Sequence, residues 1–180
     1  MVTYTVPGMK SATADKVAAL LQDRLNALND LALTLKHVHW NVVGPNFIAV
    51  HTMLDPQVDA VRLMVDETAE RIATLGASPV GTPGALVAQR GWDDYSLGRA
   101  STLEHLGALD VVYTGLIEAQ RAAIETTEDL DPVTQDMLIG QSDQLEQFHW
   151  FVRAHLETPD GSLTTSNART EKSAAKRAKR

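Results

Sequence analysis

The chain has 180 residues, 44% of them apolar and 5% aromatic, with a formal charge of −7 and no cysteine. That length suits one domain with a real core, the missing thiols exclude disulfides, zinc fingers and iron–sulfur clusters, and the negative charge argues against a generic nucleic-acid surface. No apolar run reaches the roughly 18 residues needed to cross a bilayer, and MVTYTVPGMK lacks the charged start and apolar stretch of a signal peptide, so a cytoplasmic location is expected.

Residues 1–10 read as a short N-terminal arm. Ser11 or Thr13 then caps a helix in which Val17, Leu20, Leu21, Leu28, Leu31, Leu35 and Val38 recur at helical spacing to about Trp40. Gly44-Pro45-Asn46 is a break, and a second helical pattern runs from Phe47 to Leu75, with Gly76 placed to end it in the left-handed region. Pro56 lies inside that pattern, and the apolar period continues past it, so a kink is expected there rather than a stop. Residues 77–100, with Gly81, Gly84, Gly91 and the piece WDDY, form a long crossover with room for one short helix. Ser101 caps a third helix that runs to about Thr126. Asp131-Pro132 starts a fourth that runs to about Glu157, with Val133, Met137, Leu145, Phe148, Val152 and Leu156 inward. The expectation is all-α: a ferritin-like four-helix bundle over residues 11–158, its long crossover between helices 2 and 3.

Five side chains stand out from ordinary helix patterning: His39, His51, Asp55, Asp66 and Glu70. Imidazole nitrogen and carboxylate oxygen suit iron-type metals, and the i,i+4 pairs His51/Asp55 and Asp66/Glu70 each share one helix face. Asp55 and Asp66 are eleven residues apart, about 16 Å along a helix axis, whereas carboxylate-bridged metal pairs span about 3.5–4 Å. The two pairs therefore form separate sites, or helix 2 meets its own copy antiparallel across a two-fold axis and closes two equivalent sites. Ordinary di-iron bundles carry two Glu-x-x-His motifs inside each monomer. The expectation is that the chain has no such motif, which favours the shared interface.

At these residues the chain resembles the Dps family, ferritin-like mini-ferritins named for DNA-binding proteins from starved cells. The family pattern H-W-x3-G-x2-F-x3-H-x3-D, followed by D-x3-E-R, stands here as HWNVVGPNFIAVHTMLD and DETAER, and the likeness extends over about residues 5–158. The resemblance implies a hollow homo-dodecamer built from two-fold dimers, with two iron ions bound at each inter-subunit ferroxidase site. His51, Asp55 and Glu70 would hold the tighter iron, with His39 and Asp66 setting a weaker position. Fe(II) would be oxidised, by preference with hydrogen peroxide, and stored as an Fe(III) mineral core. Trp40 would have an accessory role, shielding the site or supplying an electron, with interface packing as the alternative. Family members line their three-fold iron-entry pores with acids near the start of the fourth helix, which points to Asp136 and then Asp131, the latter with a competing duty as helix cap. His37, His105, His149 and His155 fall outside the motif and read as structural or surface residues.

The charge is unevenly spread. Arg169, Lys172, Lys176, Arg177, Lys179 and Arg180 face one acid, Glu171, giving the tail +5 and leaving −12 for residues 1–168. Residues 159–180 read as a flexible basic tail without an apolar face, able to neutralise the phosphates of double-stranded DNA without reading sequence. The expected whole is a ferroxidase and iron-storage protein, associated with the nucleoid and protecting DNA from oxidative stress. The competing readings are a non-enzymatic nucleoid-compacting protein on the same scaffold, and a divalent-cation buffer without redox turnover.

Overall fold

The structure, a computed structural model, describes residues 2–179. The expected four long helices are present as α1 (Ser11–Asn41), α2 (Phe47–Thr74), α4 (Thr102–Thr127) and α5 (Pro132–Ala154). Residues 77–101 make the crossover and contain one short helix, α3 (Pro83–Gln89). Two-residue strands β1 (Val42–Val43) and β2 (Ala100–Ser101) pair in parallel, tying the end of the crossover to the end of α1.

Local chemistry accounts for the boundaries. Ser101 caps α4 reciprocally with Glu104, side chain to backbone in both directions. α2 ends before Gly76, whose φ is +86°; a Cβ there would lie 2.0 Å from the Tyr4 carbonyl oxygen, so both the turn and the N-terminal arm require glycine. The arm is pinned again where the Val2 N–H donates to Asp15 at 2.8 Å. Helix α2 continues through Pro56. A proline there costs about 3 kcal/mol, which burial of Val50, Leu54, Val58, Val61 and Met64, each worth about 1.5–3 kcal/mol, offsets.

The core runs the length of the bundle in two clusters, and Val65 packs against both. Leu28, Leu35, Leu54, Val61, Leu109, Tyr113 and Val152 anchor one. Val17, Leu21, Leu25, Ile72, Leu75 and Leu138 anchor the other. Val133, expected inward, is 63% exposed, and Leu138 fills the buried position in that part of α5.

The last segment departs from expectation. Glu171–Ala178 form a helix, α6, packed on α4, where the sequence pattern points to a mobile tail. The reason is the size of the contact residues. The buried face of α6 is Ala174, Ala175 and Ala178, too small to register as an apolar stripe, and Gly107 on α4 leaves room for them.

Candidate metal centre

His39 lies in the last turn of α1, and the break through Gly44 and Asn46, both at positive φ, turns the chain so that α2 packs back along α1. This sets His39 against His51 and Asp55, which are one turn apart on α2. The two imidazoles stack with ring centroids 3.6 Å apart. Each Nδ1 lies 2.9 Å from the backbone carbonyl of the other histidine. A carbonyl oxygen only accepts, so both Nδ1 atoms carry the proton, and in the neutral rings both Nε2 lone pairs are left for a metal. The backbone thus selects the tautomer that metal binding needs.

Asp55 completes this group. Its Oδ1 lies 3.3 Å from His39 Nδ1 and 2.7 Å from the Lys36 ammonium. The hydrogen bond from the Lys36 ammonium, reinforced by its charge, holds the Asp55 carboxyl below the usual carboxylate range. Lys36 is one turn before His39 on the same face of α1, and sequence reasoning missed it. The signal available was that i−3 spacing.

Asp66 and Glu70 are exposed further along α2, about 16 Å and more from Asp55 by helix rise. Among the described residues, no group of three or more His, Asp or Glu within the single chain is arranged to hold a metal ion. One chain brings His39, His51 and Asp55 together and leaves Asp66 and Glu70 apart. Around them α2 exposes Ile48 (64%) and Leu63 (72%), and Trp40 beside His39 is 72% exposed.

A ferritin-like domain model matches residues 18–161. The DNA protection during starvation protein of Mycolicibacterium smegmatis is 59% identical over 180 residues, covering 100% of this chain and 98% of that protein. The fine tangled pili major subunit of Haemophilus ducreyi is 52% identical over 160 residues, covering 89% of this chain and 85% of its own. The solved structure of Mycobacterium smegmatis Dps superposes with a TM-score of 0.92 at 59% identity, covering 94% of this chain and 97% of that one. The chain belongs to the Dps family.

In this Dps-family chain the remaining candidate residues divide clearly. Asp136 is exposed in the second turn of α5. Asp131 is not an open pore residue in the single chain: it is 4% exposed, paired with Arg71 at 2.6 Å and hydrogen-bonded by Thr134 at 2.5 Å. Burial alone would raise its pKa, but Thr134 and the Arg71 guanidinium outweigh burial and hold the carboxyl low. Arg71 belongs to the DETAER motif, so this ion pair fixes the end of α2 that carries Glu70.

The four histidines outside the motif are all engaged within the chain. His37 Nε2 lies 2.8 Å from the Leu97 carbonyl, His105 Nδ1 lies 3.0 Å from the Tyr95 hydroxyl, and His155 Nδ1 lies 2.7 Å from the Phe151 carbonyl. His149 Nε2 donates to Asp110 at 2.7 Å. This matters because Glu146 and His149 are the chain's one Glu-x-x-His spacing, a motif missed in the sequence. Glu146 pairs with Arg121 at 2.7 Å, so the two residues turn to different partners and make no intrachain di-metal site.

The buried Asp110 carboxylate gathers partners from two further parts of the chain, α5 and the C-terminal segment. Asp110 also accepts from Arg153 Nε at 2.8 Å and from the Thr165 hydroxyl at 2.6 Å. Burial alone would raise its pKa; the hydrogen bonds from His149, Thr165 and Arg153 reverse this and hold it well below the usual carboxylate range. Thr165 is where the C-terminal segment begins to lie on α4. Beyond it, Arg169, Lys172, Lys176, Arg177 and Lys179 are exposed, and Arg180 lies outside the described residues.

Proposed function

We propose that this chain is a ferroxidase and iron-storage protein whose oxidation sites close between two copies, and whose basic C-terminal segment binds duplex DNA without sequence preference. The observation that carries the first part is the open half-site: two imidazoles with Nδ1 committed to carbonyls, a carboxylate beside them, and two further carboxylates about 16 Å away on the same helix. Antiparallel pairing of α2 with its copy brings His39, His51 and Asp55 of one subunit to Asp66 and Glu70 of the next. The exposed Trp40, Ile48 and Leu63 supply the apolar surface such an interface buries.

At the closed site the neutral Nε2 atoms and the carboxylates take two Fe(II) ions as substrate. Asp55 exchanges its Lys36 partner for metal. With hydrogen peroxide as oxidant, each Fe(II) gives one electron, the O–O bond breaks, and two hydroxide equivalents leave as two Fe(III) form. Delivering both electrons together avoids the one-electron route to hydroxyl radical. The Fe(III) passes into the cavity of a dodecamer, and Asp136 lines the entry path. The family membership supports this reading, as does the relative named for DNA protection during starvation.

Replacing His51 and Asp55 together by Ala and following peroxide-driven Fe(II) oxidation tests the site; a rate equal to that of the unsubstituted protein would overturn it. Assembly is checked by sizing, since twelve chains of 19.6 kDa make about 235 kDa. The DNA reading is tested by ending the chain at Asn167, which removes all six basic tail residues. Retardation of duplex DNA should disappear, and unchanged retardation would reject that part.

A further inference from the structure

We infer that the tail engages DNA as a folded ridge docked on α4, and that docking itself is required for tight binding. This rests on the assignment of DNA binding to the tail and replaces the picture of a mobile arm.

The segment has two independent anchors on one side of α4. Thr165 donates to Asp110 at 2.6 Å. One turn earlier on α4, Gly107 receives α6 so closely that a Cβ there would lie 2.8 Å from the Ala174 carbonyl oxygen and 2.8 Å from the Ala178 Cβ. Between the anchors, Arg177 donates to the Ser166 carbonyl at 2.6 Å, folding the segment onto itself. Thr170 and Ser173 cap the N-terminus of α6 reciprocally. An isolated eight-residue helix is marginal in water, so α6 owes its order to this packing.

Docking sorts the charges. Glu171, the one acid from Arg169 onward, is half-buried and accepts the Ser96 N–H at 2.6 Å. Opposite the buried alanines, Lys172 and Lys176 in α6 and Lys179 at its C-terminal cap share one exposed line at i, i+4 and i+7, about 10 Å long. Arg177 stands beside that line, also exposed. Lys179 pairs with Glu104 at 3.3 Å, yet its side chain is 67% exposed and the contact is easily exchanged. The docked state therefore leaves these cations exposed and gives the anion a partner within the chain. A phosphate backbone meets ammonium groups whose main chain is already ordered, which removes most of the ordering cost a mobile arm would bear on binding. Repeated on every subunit of an assembly, such ridges add by avidity. The partner is the sugar-phosphate backbone of duplex DNA, contacted without base readout.

The test compares four full-length or truncated particles of verified size on a fluorescent duplex of mixed sequence, titrated at several salt concentrations. They are the parent, the chain ending at Asn167, Ala175→Pro and Gly107→Val. Ala175→Pro breaks α6 from within and changes no residue of the four long helices; Gly107→Val blocks docking from the α4 side; both keep every charge. We expect the truncated chain to lose binding and both substituted chains to bind about ten-fold more weakly than the parent at equal salt. Truncation that abolishes binding, with Ala175→Pro binding as tightly as the parent or more tightly, overturns the folded ridge and leaves the tail reading intact. Truncation that leaves binding unchanged overturns both.

Discussion

His39 and His51 are held through Nδ1, which leaves Nε2 for a further ligand, and Asp55 pairs with the exchangeable Lys36, whereas the C-terminal segment closes on α4 through alanines and a glycine and leaves its cations exposed. On the proposed reading the first region closes against a copy of itself. The second is folded within the chain and, on the same reading, meets a different kind of partner. Two binding functions can thus share one small bundle without sharing residues, one at the α1–α2 edge and the other on α4. Changes in either region should leave the other's activity alone, and that independence can be broken experimentally.

The largest effect is expected at the half of the metal site that looks least like a site. Asp66→Ala with Glu70→Ala should lower peroxide-driven Fe(II) oxidation by at least about 100-fold, while duplex binding stays at the parent value. Loss of both activities in correctly sized particles would show that the two regions are coupled.

How much of this was legible depended on whether chemistry or packing made the signal. The five candidate ligands stood out because few residue types bind iron and their spacing is constrained. Gly76 and the Ser101/Glu104 pair marked helix ends, because each answers a backbone need within a few residues. Asp131 was legible only in part. It does stand at the N-cap of α5 before Pro132, but without a side-chain cap bond, and its carboxylate goes to Arg71, sixty residues away. The α6 contact was invisible because alanines on glycine carry no periodic apolar amplitude. Lys36 and the Glu146/His149 pair needed partners from other helices to be interpreted at all.

The Arg71–Asp131 pair should matter next most, through stability. Asp131→Ala leaves a largely buried guanidinium and the Thr134 hydroxyl without their acceptor. A loss of about 3 kcal/mol in urea unfolding is expected. Because Arg71 adjoins Glu70, Fe(II) oxidation should weaken as well, with duplex binding unaffected. An unchanged unfolding midpoint would remove the pair from the account.

A smaller effect is expected at the tail's other anchor. Thr165→Val removes one hydrogen bond to a charged acceptor and should cost about 1.5 kcal/mol near neutral pH. The folded-state pKa of Asp110 is depressed, so the network's contribution is complete above the unfolded carboxylate value of about 4 and is lost as the pH falls below it. The stability gap between parent and Thr165→Val, followed by urea unfolding, should stay constant from pH 7 down through the unfolded carboxylate value and narrow only as the pH approaches the depressed folded-state pKa of Asp110. A gap that instead widens in acid would contradict the assigned charge state.

The shared site is tested most directly by mixing two inactive proteins. His51→Ala/Asp55→Ala chains and Asp66→Ala/Glu70→Ala chains are unfolded together in equal amounts and reassembled, and Fe(II) oxidation is measured. In a mixed dimer one of the two sites draws His39, His51 and Asp55 from one chain and Asp66 and Glu70 from the other, all unaltered. Random pairing makes half the dimers mixed, so about one quarter of the parent activity should return. No recovery in co-assembled particles would mean that each site closes within a single chain.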